Sequence, residues 1–133
     1  MDADALIREY NSRIKNLEEE NRELRKKIGA YEQASFEMAG KQRDFDLLRD
    51  ELHGIAARTE QYGEGLQMMR GFSVRIQNII FGCNSAAADE DISASQRGLR
   101  CGIEDSEEKI HANSRKIEEL REKIRIITAE SGE

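Results

Sequence analysis

Two heptad repeats, one towards each end of the 133-residue chain, restrict most strongly what this sequence can fold into. In a heptad, apolar residues at the positions called a and d form one stripe along a helix, and that stripe is buried against another helix. The a and d residues of the first repeat are Ile7, Tyr10, Ile14, Leu17, Asn21, Leu24, Ile28 and Tyr31. Those of the second include Ile103, Ile110, Asn113, Ile117, Leu120, Ile124 and Ile127. Each repeat predicts a coiled-coil helix.

The composition favours an all-α fold. The chain contains no proline, and 36% of its residues are charged while only 5% are aromatic. This composition is typical of long helices whose apolar surface is a narrow stripe. The length fits one domain, so we predict a single helical domain over residues 1–133.

Folding the chain back about its middle pairs the two repeats with each other. If partner residues have numbers that sum to 134, each a position meets a d position, as for Ile14 and Leu120. The same rule places Asn21 opposite Asn113, and a buried Asn without a partner costs about 1–3 kcal/mol, so this layer would set the register. Glycine adopts turn conformations readily, so Gly63 and Gly65 mark the turn. We therefore predict a long antiparallel two-helix coiled-coil hairpin.

The apolar stripe of the first helix changes phase in the middle of the chain. Near Phe45 it shifts and continues through Leu48, Leu52 and Ile55. A phase shift of this kind alters the supercoil locally without ending the helix. The fold-back rule then predicts that Ile55 packs against Ile79 inside the hairpin.

A second interruption is expected after the middle of the chain. Residues 82–93 have no apolar period, and Ser93 followed by Gln96 forms a capping box that favours a helix start. The predicted boundaries are a helix over 3–61, a turn at about 62–66, a helix over 67–81, an irregular or kinked segment over 82–93 and a helix over 94–128.

A parallel homodimer through residues 7–46 is the competing architecture. Ile and one Asn at a, with Leu at d, are the preference of parallel dimers. Its flanking pairs between chains would all attract: Arg13–Glu18, Glu20–Arg25, Lys27–Glu32 and Lys41–Asp46. Surface ion pairs contribute only about 0.2–1 kcal/mol each, so these pairs leave both architectures open.

Charge and hydropathy exclude two classes of partner. The formal net charge is −6 and the charges alternate in sign, whereas nucleic-acid binding needs a basic surface. The longest apolar run is Ile79, Ile80 and Phe81, far shorter than a membrane span. The N-terminus lacks the apolar region of a signal peptide, so we expect a cytoplasmic protein, with export alongside a partner by a signal-peptide-independent route left open.

Catalytic and metal-binding motifs are not found in the sequence. His53 and His111 are its only histidines, and each lies near acidic residues, as is common in a chain this acidic. Cys83 and Cys101 are eighteen residues apart, roughly 27 Å along a helix and too far for a disulfide within it. We therefore expect no enzyme activity, no catalytic residue, no metal and no cofactor.

The middle of the chain holds more apolar residues than one hairpin seam can bury. The candidate partner interface consists of Phe36, Leu47, Leu66, Met68, Phe72 and Phe81, and Val74 and Ile79 belong to the same surplus. Surplus apolar residues on a thin helical protein usually mark a second interface. A heterologous helical partner and a second copy of the chain both fit.

With its predicted hairpin, its short length and no signal peptide, the chain resembles small helical-hairpin accessory proteins of the Gram-positive type VII secretion system, in particular those associated with LXG toxins. The Trp-x-Gly turn of that superfamily is absent, the nearest segments being Gly63-Glu64-Gly65 and Ile80-Phe81-Gly82. No aromatic residue follows Phe81, so the aromatic–acid tail motif is missing too. The resemblance implies an adaptor or chaperone that packs against the N-terminal domain of an LXG toxin. A homodimeric coiled-coil scaffold or tether is the first alternative, and a helical chaperone for a flagellar or injectisome protein is the second.

Overall fold

The computed structural model describes residues 2–62 and 67–132, and these residues form three helices. The helices are α1 (Ala3–Tyr62), α2 (Gln67–Phe81) and α3 (Cys83–Ser131). Within the described ranges every residue except Asp2, Gly82 and Gly132 is helical, so the all-α prediction is confirmed. The predicted turn residues Gly63 and Gly65 lie outside the described residues.

The helices assemble into two compact units. Unit 1 contains the described residues up to Glu32 together with those from Arg100 onwards, and unit 2 contains Gln33–Leu99. In each unit, α1 packs antiparallel against a later part of the chain. Asn21 contacts Asn113 in unit 1, and Arg49 contacts Ser85 in unit 2, so both pairs of numbers sum to 134. The predicted helical hairpin is confirmed in each unit.

Unit 1 is built on the predicted apolar seam. Its core consists of Ile14, Ile117 and Leu120, and Tyr10, Leu17 and Ile124 pack against it. The remaining predicted seam residues are all buried or half-buried: Ile7, Leu24, Ile28, Tyr31, Ile103, Ile110 and Ile127. A strict a/d pattern on both helices leaves only one way to remove these side chains from water, which explains why the pattern located them.

Two polar contacts are buried inside this seam. The side-chain amide of Asn113 donates a hydrogen bond of 3.0 Å to Oδ1 of Asn21, and the two residues are only 6% and 3% exposed. Nearby, the buried Ser106 donates to the Gly102 carbonyl at 2.8 Å. The Tyr31 ring packs directly on Gly102, where a Cβ atom would lie 2.7 Å from the ring. Glycine is therefore needed at 102 to admit the aromatic side chain.

Charged residues beside the seam contact neighbouring acidic and aromatic side chains. Arg13 pairs with Glu9 on its own helix at 2.8 Å. The Lys123 ammonium instead lies 5.8 Å from the centre of the Tyr10 ring, and Lys27 lies similarly over Tyr31 at 5.7 Å. Cations over aromatic rings are favourable contacts, so both lysines have an attractive neighbour beside the seam.

Unit 2 keeps the heptad phase of α1, and the predicted phase shift is wrong. Its apolar core consists of Ala56, Ile76 and Ile80, with Leu52 packed against it. Ala56 and Leu52 continue the a and d positions of the first repeat. The buried hydroxyl of Ser73 donates to the Ala56 carbonyl at 3.3 Å, because both residues are small enough for the helices to approach closely.

The predicted packing of Ile55 against Ile79 inside the hairpin is also wrong. Both side chains are exposed. Small and polar residues at a weaken the sequence pattern, and here they are buried or half-buried against α2 and α3. The larger residues next to them, at position g, are left outside the seam.

The predicted irregular segment over 82–93 is reduced to Gly82 alone, and residues 83–93 belong to α3. Ser93 therefore lies inside a helix and does not cap one. The buried residues Ile80 and Ser85 are five residues apart, whereas one continuous helix presents a seam every three or four residues. The break at Gly82 corrects this difference in phase. A Cβ at Gly82 would lie 2.1 Å from the Asn78 carbonyl oxygen, so only glycine fits.

The asparagine layer predicts non-additive effects on stability. Asn21→Leu leaves the buried Asn113 amide without its acceptor and should destabilise the protein by about 1–3 kcal/mol. Adding Asn113→Leu should recover most of that loss, because two apolar residues then face each other. Urea unfolding of the wild type, both single variants and the double variant measures this coupling. Simple additivity would contradict a shared layer.

Candidate functional site

Exposed large apolar residues are concentrated in unit 2. Among the described side chains, eight of the nine lie there: Phe36, Leu47, Leu48, Ile55, Met68, Phe72, Val74 and Ile79. Unit 1 contributes only Ile126 to this set. Scattered single apolar residues on a surface are normal, but clusters of them mark interaction surfaces. Unit 2 is therefore the candidate site.

One cluster lies on a single side of the helical pair in unit 2. Glu60 of α1 accepts a hydrogen bond from Gln77 of α2 at 3.2 Å, which identifies one side of the seam. On the opposite side of the seam, each helix carries the residues that come immediately before its inward-facing residues in the sequence. These residues, which we call the flank, are Leu48 and Ile55 of α1 and Phe72 and Ile79 of α2, and all are exposed.

A second cluster lies on the face of α1 that points away from its partner helices. Phe36 and Leu47 are eleven residues apart, or about three helical turns, so they project from one line along the helix. Both are mostly exposed, at 68% and 62%. We call this pair the outer patch. It is separate from the flank, although Leu47 and Leu48 are neighbours in sequence.

The predicted interface residues divide between these surfaces. Phe36 and Leu47 form the outer patch, Phe72 belongs to the flank, and Met68 lies exposed at the edge of the flank. Leu66 and the side chain of Phe81 lie outside the described set. Sequence reasoning missed Leu48 and Ile55, because it assigned them to the seam. Counting heptads without a phase shift would have placed Ala56 at a and these two residues at g, outside the seam.

A polar cluster replaces the apolar seam in the centre of unit 2. Arg49, at an a position of α1, forms an ion pair of 2.7 Å with Asp89 of α3 and donates to the Ser85 hydroxyl at 3.1 Å. The guanidinium also lies 4.7 Å from the centre of the Phe45 ring. The hydrogen bond from Arg49 holds the pKa of the Asp89 carboxyl below its usual value. In the sequence, a polar residue such as Arg49 at an a position indicates a weakened seam. In the structure it forms a specific contact between two helices.

The depressions among the described residues are lined mainly by charged and polar side chains. A depression of about 760 Å³ on α3 is lined only by charged residues between Glu118 and Arg125. Ligand pockets are instead enclosed mainly by apolar and aromatic side chains. The depression is best explained as the space between long charged side chains on one helix surface.

The residues considered for chemistry do not converge. His53 and His111 are exposed on different units, and Cys101 is an exposed free thiol. Across residues 2–62 and 67–132, no three His, Cys, Asp or Glu side chains are grouped as metal ligands would be. None of the helices in these ranges is long and apolar enough to cross a membrane.

Comparisons with known protein families, with curated proteins and with solved structures found no match to this chain. The flank, the outer patch and the polar cluster are therefore the features from which function is inferred. All three belong to unit 2, whereas unit 1 uses its apolar residues for its own core.

The Arg49–Asp89 pair predicts a pH-dependent contribution to stability. Because the folded state lowers the pKa of Asp89, the contribution is complete above the unfolded value of about 3.9 and is lost as pH falls through the folded pKa. Asp89→Asn should therefore lower the melting temperature more at pH 7 than at pH 2. Circular dichroism melts of both proteins at the two pH values test this. An equal difference at both would contradict it.

Proposed function

We propose that this protein is a non-enzymatic adaptor that packs the outer patch of unit 2 against a helical partner protein. The observation that carries the proposal is the uneven burial of the two units. Unit 1 hides its seam, whereas the described part of unit 2 leaves eight large apolar side chains in water. A monomeric helical pair gains nothing from that exposure, and a partner that covers it gains the apolar area.

The outer patch suits a helix as its partner. Phe36 and Leu47 stand about three turns apart on one line, so a helix that lies along α1 can contact both side chains. Gly54 lies on the same line, seven residues after Leu47, and a Cβ built there meets nothing within 4 Å. A glycine at this open position lets a second helix approach closely beside the Leu47 side chain.

The resemblance to LXG-associated accessory proteins supplies a specific client for the test. On this proposal the chain packs against the helical N-terminal domain of an LXG toxin in the cytoplasm and accompanies it to type VII export. The acidic, alternating surface charge of the chain supports a protein partner over nucleic acid, because it offers no basic patch for phosphates. The helical hairpin of each unit supports packing between helices.

Binding to such a client should depend on the outer patch. Leu47→Asp and Phe36→Asp each place a charge at the centre of the contact, and loss of one apolar anchor should cost about 2 kcal/mol or more. Co-expression with the toxin domain, followed by co-purification, measures the loss. Ile126→Asp, at the exposed apolar residue of unit 1, is the matched control and should bind normally.

A second variant separates a lost contact from a lost fold. Gly54→Ala should raise helix stability by up to about 1 kcal/mol and yet weaken client binding, because a methyl group enters the contact. Circular dichroism reports stability, and co-purification reports binding. If the wild-type chain forms no complex with the domain, the LXG client is wrong. If Ile126→Asp reduces binding as much as Leu47→Asp, the outer patch is not the site.

A further inference from the structure

The flank has oppositely charged ends. Asp44 and Arg58 lie on the flank side of α1, because Asp44 is four residues before Leu48 and Arg58 is three residues after Ile55. Across the seam, Arg75 lies three residues after Phe72 and four residues before Ile79, so it projects from the flank side of α2. It lies five residues before the inward-facing Ile80. On α3, Asp91 lies five residues before the half-buried Gln96, just as Arg75 lies five residues before the buried Ile80 on α2. Asp91 therefore projects from the flank side of α3.

Contacts across the seam fix which charges lie at the same end. The Gln77–Glu60 hydrogen bond places Arg75 at the level of Arg58. The Arg49–Asp89 ion pair places Asp91 near the level of Asp44. The flank is therefore basic at one end, acidic at the other, and apolar between them, where Leu48, Ile55, Phe72 and Ile79 are exposed.

We infer that a second copy of this chain covers the flank, in an antiparallel arrangement about a two-fold axis. A surface with one basic and one acidic end is complementary to itself when the two copies run in opposite directions. The axis brings Arg58 to Asp44 of the other copy and Arg75 to Asp91 of the other copy. A parallel arrangement would bring Arg58 and Arg75 to each other, and like charges would repel.

Two charges limit the strength of this contact. Glu51 lies midway along the flank side of α1, near the two-fold axis, where it approaches its own counterpart. Lys41 lies beside Asp44 at the acidic end and weakens its field. Both charges weaken the dimer, and replacing Glu51 should tighten it.

The dimer is independent of the proposed adaptor function. Leu47 and Phe36 project from the outer face of α1, so a second copy on the flank leaves the outer patch free for a client. The dimer also leaves the seam of unit 1 intact, in contrast to a parallel coiled coil through residues 7–46. Each contact can fail without the other.

Sedimentation equilibrium of the full chain tests the apolar part of the inference. The wild type should dimerise reversibly, and Ile79→Glu should weaken the dimer by about 30-fold or more, the effect of losing a central interface residue. Val74→Glu is the matched control, since Val74 is 53% exposed on the same helix but away from the flank. Leu47→Asp should also leave the dimer unchanged. A wild type that stays monomeric, or equal effects of Ile79→Glu and Val74→Glu, would overturn the inference.

A charge exchange tests the antiparallel direction. Asp44→Arg and Arg58→Asp should each weaken the dimer, because each places like charges against each other at both ends of the α1 contact. The double variant restores opposite charges and should recover dimerisation, while Glu51→Gln should strengthen it. Circular dichroism checks that all variants remain helical. A double variant weaker than either single variant would rule out the antiparallel pairing.

Discussion

Asn113 donates a hydrogen bond to Asn21 inside the seam of unit 1, and both amides are almost completely removed from water. An apolar heptad seam alone tolerates shifts by one repeat, since Ile and Leu layers are nearly equivalent to one another. A shift by seven residues in either direction would place the Asn113 amide against an isoleucine, Ile14 or Ile28, at a cost of about 1–3 kcal/mol for the unsatisfied group. The amide pair therefore selects one register among several, and the other layers of unit 1 follow from it.

Unit 1 could be predicted from the sequence because its a and d residues are apolar on both helices and its two core asparagines fall in one layer. Unit 2 could be predicted only in part. Arg49 at a looks like the end of a seam until Asp89 is known to lie opposite, and that contact depends on where α3 begins. The sequence predicts a break somewhere in the twelve residues 82–93. Its exact position at Gly82 depends on the phase difference between the buried residues Ile80 and Ser85.

In the seam of unit 2, polar and small residues occupy positions that apolar residues occupy in unit 1. This difference creates the candidate site. Ala56, Ser73 and Arg49 occupy the seam of unit 2, so the larger Leu48, Ile55, Phe72 and Ile79 are displaced to the flank. The apolar surface exceeds what the chain can bury by itself, and its two parts offer different contacts. The flank is self-complementary in charge, which suits a second copy, whereas the outer patch is a line of anchors that suits a partner helix. The exposed residues were expected from composition, but their division into two surfaces depends on the phase of α1.

The fold-back register of unit 1 is the central claim, and cysteine cross-linking tests it most directly. Cys83 and Cys101 are first replaced by serine, and cysteines are then introduced at Ile14 and Leu120, which share the apolar core. Oxidation of dilute protein should give a rapid disulfide within one chain, identified by mass spectrometry, whereas a pair at Ile14 and Ile110 should react slowly. Cross-links only between the position-14 cysteines of two chains would contradict the fold-back and support the parallel dimer.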